Sequence, residues 1–355
     1  MTRALERNSK FERPAGELEC IARPPSLLEQ RADIVFRGCC YVIAWLVIAL
    51  VIFIVAKIAW SSIPAISAYG FPFLTGQQWD PNAGTYGILP EIFGTLVSST
   101  VAILLSSFMG IAIAIFLSEG LLSSVLRLAL RQLGIANRSK WSRLPEKLER
   151  GLLNVIELLA AIPSVVYGLW GIYVVIPTIR PYCNFLNANF EWFPLFGTPL
   201  SGPGLFPAAM VLSIMILPTI ASLSRDALNS VPIKLREAAY ALGSTRWEAI
   251  FMVILPAARN GIIGAILLGF GRALGETMAL AMLTGNSNRI SWSLFSPGNT
   301  LAALLANNFP EASKNQVPTL MYAALVLLAI TLGVNLLGAI VQQSATRKGN
   351  LWTRI

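Results

Sequence analysis

The sequence contains no histidine and few charged residues. Of its 355 residues none is histidine, 27 are Lys or Arg and 18 are Asp or Glu, so charged residues make up 13% of the chain. The absence of histidine excludes histidine metal sites and Ser-His or Cys-His nucleophile pairs, which removes most hydrolase mechanisms. A soluble domain usually carries about 25% charged residues. We therefore expect neither a hydrolase nor an ordinary soluble domain.

Two motifs that would point to other chemistry are also missing. The chain has four cysteines without C-x-x-C spacing, namely Cys20, Cys39, Cys40 and Cys183, so we expect no disulfide framework. No G-x-x-x-x-G-K-[ST] pattern occurs in the sequence. A chain without this pattern cannot hold ATP phosphates in a P-loop, so any ATPase would have to be a separate chain.

What the sequence does contain is a series of long apolar runs. Hydrophobic residues make up 55% of the chain, and a helix needs about 20 mainly apolar residues to cross a bilayer. Six runs meet this requirement, at residues 42–63, 94–118, 152–177, 205–223, 261–284 and 320–341. We therefore predict an all-α, polytopic transmembrane bundle of about six spans.

The basic residues are concentrated in alternate loops. Of the 27 Lys and Arg, 22 lie in four segments, which are the tail up to residue 41, 119–151, 225–260 and the carboxyl tail. Because basic residues near spans are retained in the cytoplasm, both termini are predicted to be cytoplasmic. The net charge of +9 then reflects topology and attraction to headgroups, not nucleic-acid binding.

This topology divides the chain into a cytoplasmic tail, a transmembrane domain and a second cytoplasmic tail. The predicted segments are 1–40, 41–342 with the cytoplasmic loop 225–260, and 343–355. The basic connector 120–150 is interpreted as a solvated or headgroup-bound helix. On the outer face, 67–93 contains no Lys or Arg but several aromatic residues, so we expect an ordered interfacial loop. A short helix in the outer loop 285–319 would add a docking surface for an outside protein.

The loop 225–260 has the pattern of two short helices around a tight turn. The first helix is predicted to stop at Gly243, because glycine readily adopts the left-handed conformation that ends helices. Thr245 and Glu248 have the spacing of a capping box, which starts the next helix. Leu255 and Pro256 are predicted to mark the return to the membrane. The result would be a compact knob that can seat in another protein.

This loop resembles the EAA loop of binding-protein-dependent ABC importers. In that family the loop docks in a groove on the ATPase subunit. The resemblance implies ATPase coupling for six residues, which are Glu237, Ala238, Ala239, Gly243, Leu255 and Pro256. Val253 replaces the usual isoleucine of the motif. An ordinary helical hairpin is the alternative interpretation.

The fifth predicted span carries two charges. Arg272 lies about 17 Å past the cytoplasmic end of that span at about 1.5 Å per residue, which is near the middle of the membrane. Glu276 follows four residues later, so a continuous helix would place both side chains on one face. Gly271 and Gly275 form a small-xxx-small pattern that allows close helix packing, so we expect the charged face to point into the bundle. The pair either carries an anion, with Arg272 as its donor, or is a structural ion pair.

Three segments together resemble the PstC family of permease subunits of phosphate ABC importers. They are Gly87-Ile88-Leu89-Pro90, Ala161-Ile162-Pro163-Ser164-Val165-Val166-Tyr167-Gly168, and Gly271-Arg272-Ala273-Leu274-Gly275-Glu276-Thr277-Met278. The resemblance implies that Arg272 and Glu276 lie on the substrate path. It also implies a bacterial inner-membrane location and four kinds of partner, which are a PstA-like permease, two copies of a PstB-like ATPase, a PstS-like phosphate-binding protein and the lipid bilayer.

The resemblance implies no cofactor and no metal on this chain, with ATP and Mg²⁺ bound by the ATPase. Several alternatives stay open at the level of sequence. The chain could be a permease for sulfate or molybdate, or the sister PstA-type subunit. A membrane scaffold or sensor that recruits an ATPase without conducting solute would explain the loop 225–260, but it would leave Arg272 and Glu276 without a role.

Overall fold

The computed structural model describes residues 26–121 and 144–349. Residues 1–25 of the predicted tail, 122–143 of the basic connector and 350–355 lie outside the described residues. The chain divides into two units, 1–57 and 58–355. In the first unit the described part is one helix, whose residues 27–54 are all exposed.

The described residues are mainly helical. The helices in chain order are α1 (Leu27–Tyr69), α2 (Pro72–Thr75), α3 (Leu89–Ser118), α4 (Leu144–Ala161), α5 (Ser164–Trp170), α6 (Ile176–Phe190), α7 (Leu205–Asn229), α8 (Ile233–Ala241), α9 (Arg246–Glu248), α10 (Leu255–Leu274), α11 (Met278–Leu283), α12 (Leu301–Asn308) and α13 (Val317–Gly349). Two short strands, β1 (Trp79–Asp80) and β2 (Thr85–Tyr86), pair antiparallel with Trp79 opposite Tyr86.

Short non-α segments join several of these helices. Gly171–Val175 is π-helical and connects α5 to α6, and Ala249–Ile254 is π-helical and connects α9 to α10. Pro194–Phe196 and Phe309–Glu311 are 3₁₀ turns. The prediction of an all-α bundle is confirmed.

Five of the described helical segments are long and apolar enough to span a membrane, or up to six if a bent pair counts as one span. The predicted span 152–177 falls on this bent pair. Its two parts, Lys147–Ala161 and Ser164–Phe190, meet at 96°. Pro163 explains the bend, because proline lacks an N–H and pushes the residue before it towards extended conformations. The predicted span 261–284 also stops early, since α10 ends at Leu274.

The core is built where α3 packs along α7. A stripe of small residues with a spacing of four is buried on α3, consisting of Ser98, Ala102, Ser106, Gly110 and Ala114. A Cβ atom at Gly110 would lie 2.9 Å from the side chain of Ile220 on α7, so glycine is needed for this approach. Small residues let membrane helices approach closely, which explains why α7 is the most buried span.

An aromatic cluster closes the end of the bundle at which α3 begins. The ring of Phe73 is fully buried and stacks on Tyr322 of α13 at 4.5 Å. Tyr86 of β2 makes edge contacts with Trp79 at 5.0 Å and with Tyr69 at 5.4 Å. The prediction of an ordered loop at 67–93 is confirmed, and α12 is the short helix predicted in the 285–319 loop.

Candidate functional site

The loop 225–260 forms a hairpin of two helical segments, α8 and α9, which we call the 233–248 hairpin. Gly243 ends α8 with φ of +84°. Its backbone N–H donates to Tyr240 O at 3.0 Å, and Ser244 N–H donates to Ala239 O at 3.2 Å. These two bonds make a Schellman motif, in which a left-handed residue closes the helix. The predicted glycine stop is confirmed.

The second limb starts with the predicted capping box. Glu248 N–H donates to Thr245 Oγ1 at 3.4 Å, and Thr245 N–H donates to Glu248 Oε2 at 2.7 Å. Each side chain therefore satisfies a backbone donor that the helix start leaves without a partner. The predicted capping box is confirmed.

Leu255 and Pro256 lie at the start of α10. The helix that starts at Arg246 continues through the π-helical Ala249–Ile254 into α10 without a break, so the second limb and the following candidate span form one helical segment. Proline is tolerated there because the π-helical turn precedes it and Pro256 occupies the first turn of α10. Leu255 packs on the apolar cluster that includes Ile250, Ile254 and Ala258.

The 233–248 hairpin exposes a surface rich in apolar groups. Glu237 and Ala238 are exposed, whereas Ala239 is buried. Leu242 at the tip is 88% exposed, and Trp247 stacks on Phe251 with ring centroids 6.1 Å apart on the outside of the second limb. An exposed apolar patch of this kind is typical of a protein-interaction surface. The structure thus brings Glu237, Ala238, Ala239 and Gly243 together on one hairpin and leaves Leu255 and Pro256 on α10.

Arg272 lies in the last turn of α10 and is exposed on the surface of this chain. Its Nη1 donates to Thr219 Oγ1 of α7 at 3.2 Å. Thr219 is 14 residues after the start of α7 and 10 before its end, or about 21 Å and about 15 Å along the helix at 1.5 Å per residue. The contact therefore lies near the middle of a span, as predicted for Arg272. Arg272 is therefore exposed in the single chain, although it contacts α7 of the same bundle.

Glu276 is not placed on the same helical face as Arg272. The α10 helix ends at Leu274 with Gly275 as its cap, so the one-turn spacing predicted for a continuous helix is wrong. Glu276 Oε1 instead accepts from Ala279 N–H at 3.5 Å at the start of α11. Among the described residues no ion pair joins Arg272 to Glu276.

The two glycines beside these charges have different roles. A Cβ atom at Gly271 would lie 3.2 Å from Asn335 Oδ1 of α13, so Gly271 allows close packing as the small-xxx-small pattern predicted. A Cβ atom at Gly275 would lie 3.8 Å from the nearest atoms, which are carbonyl oxygens of the same turn. Gly275 therefore marks the helix end and is not a packing position.

Glu91 is a buried acidic residue that the sequence reasoning missed. It lies in the first turn of α3 and is 0% exposed. The Asn299 side chain lies beside its carboxylate, but neither carboxylate oxygen accepts a hydrogen bond of regular geometry. A buried carboxylate with so little hydrogen bonding is costly, so such a group is a candidate for a functional or strained position. The signal in the sequence was an acidic residue directly before an apolar run.

The residues that the structure describes hold neither a cluster of metal ligands nor a disulfide. In 26–121 and 144–349, no group of three or more His, Cys, Asp and Glu could hold a metal ion. Cys39, Cys40 and Cys183 carry free thiols. The chemistry of the site is therefore that of polar and charged side chains along helices.

Comparisons with known proteins place the chain in a family. A family model described as "Binding-protein-dependent transport system inner membrane component" matches residues 133–347, which is more than half of the chain. The "Phosphate transport system permease protein PstC" of Xylella fastidiosa is 38% identical over 328 residues, covering 91% of this chain and 94% of that protein. The protein of the same name from Haemophilus influenzae is 39% identical over 302 residues, covering 83% and 88%.

A solved structure supports the same fold. A chain in the crystal structure of a bacterial alginate ABC transporter, in complex with an alginate pentasaccharide-bound periplasmic protein, aligns with a TM-score of 0.53 and 16% identity. The alignment covers 86% of this chain and 94% of that chain. The fold is thus that of an ABC importer permease. The chain belongs to the family of binding-protein-dependent transport system inner membrane components, among the phosphate transport permeases of the PstC type.

Proposed function

We propose that this chain is the permease subunit of an ATP-driven importer of inorganic phosphate in the bacterial inner membrane. It takes the anion from a solute-binding protein and helps to pass it across the membrane. The relatives named as phosphate permeases support the substrate, and the family description supports the inner-membrane setting. ATP is hydrolysed by a separate chain, so this subunit is not an enzyme.

The observation that carries the anion proposal is Arg272. A charge near mid-span is costly to insert and is functional by default. Arg272 is exposed on this chain while one of its nitrogens is held by Thr219, which leaves other donors of the guanidinium free to face a path beside the chain. Arginine suits phosphate because its fork of donors matches two oxygens at once. The path would then lie between this chain and a second permease.

Glu276 contributes to the same path in a different way. Gly275 and Glu276 lie between the end of α10 and the start of α11. Glu276 caps α11 through Ala279 N–H and so orders the break that follows Arg272. In this proposal Arg272 meets the anion, and Glu276 shapes the backbone beside it.

The 233–248 hairpin is proposed as the part that docks on the ATPase. Its exposed tip and the stacked Trp247 and Phe251 offer an apolar surface. Gly243 supplies the tight turn between the limbs, and Ala239 packs inside. Leu255 contributes packing behind this surface, and Pro256 lies in the first turn of α10. ATP and Mg²⁺ belong to the ATPase, and this chain binds no cofactor or metal in the proposal.

We further infer the composition and orientation of the assembly. The partners are a PstA-like sister permease, two copies of a PstB-like ATPase and a PstS-like phosphate-binding protein. Gln342 near the described end of α13 donates to Asn260 O at 3.2 Å, which supports placing this end on the side of the hairpin. The carboxyl terminus would then be cytoplasmic, and the aromatic cluster would face the binding protein. The proposal places the amino terminus in the cytoplasm as well, because basic residues gather in the tail before the first span.

Reconstituted uptake tests the proposed function. The four components are assembled in proteoliposomes with ATP inside the compartment that holds the hairpin, and entry of labelled phosphate is measured. We expect uptake that needs this chain and that excess sulfate or molybdate does not compete away. Competition by either oxyanion would reassign the substrate. ATP hydrolysis without uptake of any oxyanion would instead favour a scaffold or sensor.

A further inference from the structure

The carboxyl end of α3 contacts both limbs of the 233–248 hairpin. The Glu119 carboxylate, just after α3, forms an ion pair with Arg236 of α8. Arg246 of α9 donates a hydrogen bond to the backbone carbonyl oxygen of Glu119. One residue thus accepts from both limbs, once through its side chain and once through its backbone.

Arg236 also contacts α7. Arg236 Nη2 donates to the carbonyl oxygen of Leu228, near the end of α7, at 2.7 Å. The side chains of Glu119 and Arg236 are 7% and 18% exposed, so solvent screens the pair little. A planar guanidinium holds two acceptors in fixed directions. Arg236 therefore fixes α8 against the ends of α3 and α7 together.

Apolar packing attaches α8 only weakly. Of its nine residues, Ala239 is the buried one, whereas Ile233 is 69% exposed and Leu235 is 45% exposed. A methyl group contributes little burial energy compared with a large side chain. The orientation of α8 on the bundle therefore depends on the polar contacts of Arg236.

The two helices whose ends contact Arg236, α3 and α7, also pack against the helix that carries Arg272. The α3 helix packs along α7, and α10 packs against both of them. Arg272 of α10 donates to Thr219 of α7. If the hairpin moves and displaces the ends of α3 and α7, the displacement therefore also reaches α10, which packs on both helices. The contact between Arg272 of α10 and Thr219 of α7 would then shift.

We propose that Glu119 is a positioning residue that joins the 233–248 hairpin to the membrane spans, so that movement of the docked ATPase reaches Arg272. The proposal rests on the proposed function of the hairpin. In this proposal Glu119 contacts neither the substrate nor the nucleotide. Without the Glu119 carboxylate, Arg236 would keep its hydrogen bond to Leu228 O but lose its charged partner. An unpaired charge in this poorly screened position destabilises the fixed orientation of α8.

The test measures phosphate uptake per ATP hydrolysed in proteoliposomes carrying the complete assembly. The variants are Glu119→Ala, the isosteric Glu119→Gln, Arg236→Ala and the double variant Glu119→Ala with Arg236→Ala. Glu149→Ala, which removes a carboxylate from α4, is the matched control. Values are compared at equal amounts of assembled complex, so that a loss of assembly does not enter the ratio.

We expect the ratio to fall by about tenfold in Glu119→Ala, because removing one partner leaves the other charge unpaired, and to fall less in Glu119→Gln. The double variant should be no worse than Arg236→Ala alone, since residues that act as a pair are not additive. A ratio equal to wild type in Glu119→Ala would overturn the proposal. So would loss of assembly in all Glu119 variants, which is the result of a purely structural contact. If the wild-type assembly takes up no phosphate, the proposed function fails instead.

Discussion

Arg272 shows how a single side chain can carry a transport hypothesis. It is exposed although it lies near the middle of a span, and Thr219 accepts one of its hydrogen bonds. Lipid cannot satisfy the remaining donors of a guanidinium, because hydrocarbon offers no acceptor. The side chain must therefore face protein, water or a passing anion. Its environment in the assembly decides its function.

Replacing Arg272 by glutamine should remove phosphate passage. We expect uptake in Arg272→Gln to fall at least about tenfold, since hydrogen bonds to a charged group contribute about 1.5–3 kcal/mol. Uptake of labelled phosphate by the complete assembly is the measurement. Arg289→Gln, which removes an exposed arginine of the loop after α11, is the control and should transport normally. Near-normal uptake in Arg272→Gln would reduce the residue to a structural role.

Glu276→Gln should impair uptake less than Arg272→Gln. The amide oxygen of glutamine can still accept from Ala279 N–H, the contact that Glu276 makes in the structure. Because no ion pair joins Glu276 to Arg272 among the described residues, the two effects should add in the double variant. Initial uptake rates of the two single variants and the double variant give this comparison. A Glu276→Gln effect that vanishes when Arg272 is also glutamine would show that the charges act as a pair.

At the scale of elements, the 233–248 hairpin is defined by its turn. The left-handed Gly243 closes α8, and the Thr245–Glu248 capping box opens the next limb. Both are local signals, which explains why the sequence predicted them correctly. The turn fixes the angle between α8 and the second limb, whereas the contacts of Arg236 fix α8 against the ends of α3 and α7.

Gly243→Val should uncouple ATP hydrolysis from uptake while the chain still inserts. A β-branched residue at φ of +84° is strained by about 1–3 kcal/mol, so the turn should open and tilt α8. Phosphate uptake, ATP hydrolysis and co-purification of the ATPase are measured together. Gly151→Val is the matched control, because Gly151 also has open space around its Cβ position but no positive φ. Normal coupling in Gly243→Val would contradict the role given to the turn.

At the scale of the whole molecule, large apolar surfaces remain uncovered. Only 6% of the apolar window of α13 is buried, against 72% in α7, and Arg272 is exposed as well. Lipid can cover an apolar helix face, but it cannot cover an arginine cheaply. The described part of the chain therefore looks like one partner of a larger complex.

We expect the chain to be unstable in detergent without its sister permease. Co-expression with the sister permease should give a single peak in size-exclusion chromatography and a higher melting temperature than the chain alone. Co-expression with the ATPase alone is the control, and it should not give this stabilisation because the ATPase does not cover Arg272. A monodisperse, equally stable single chain would argue against a shared interface at that residue.

The sequence by itself determined that the chain forms about six long apolar helical segments and that two helix signals flank Gly243. These features depend on local composition and on backbone preferences, which a chain carries wherever it packs. Even the family resemblance rested on such short motifs. The break at Pro163 was visible as a proline, but its angle of 96° depends on what each half packs against.

Only the tertiary structure decided how distant residues meet. A helix end at Leu274 separated Arg272 from Glu276, and the packing of α10 on α7 gave Arg272 its partner Thr219, which is 53 residues away. Glu119 and Arg236 are 117 residues apart and still form an ion pair. Such contacts depend on the ends of several helices converging, and no local pattern encodes that convergence, so periodicity and motif spacing could not reveal them.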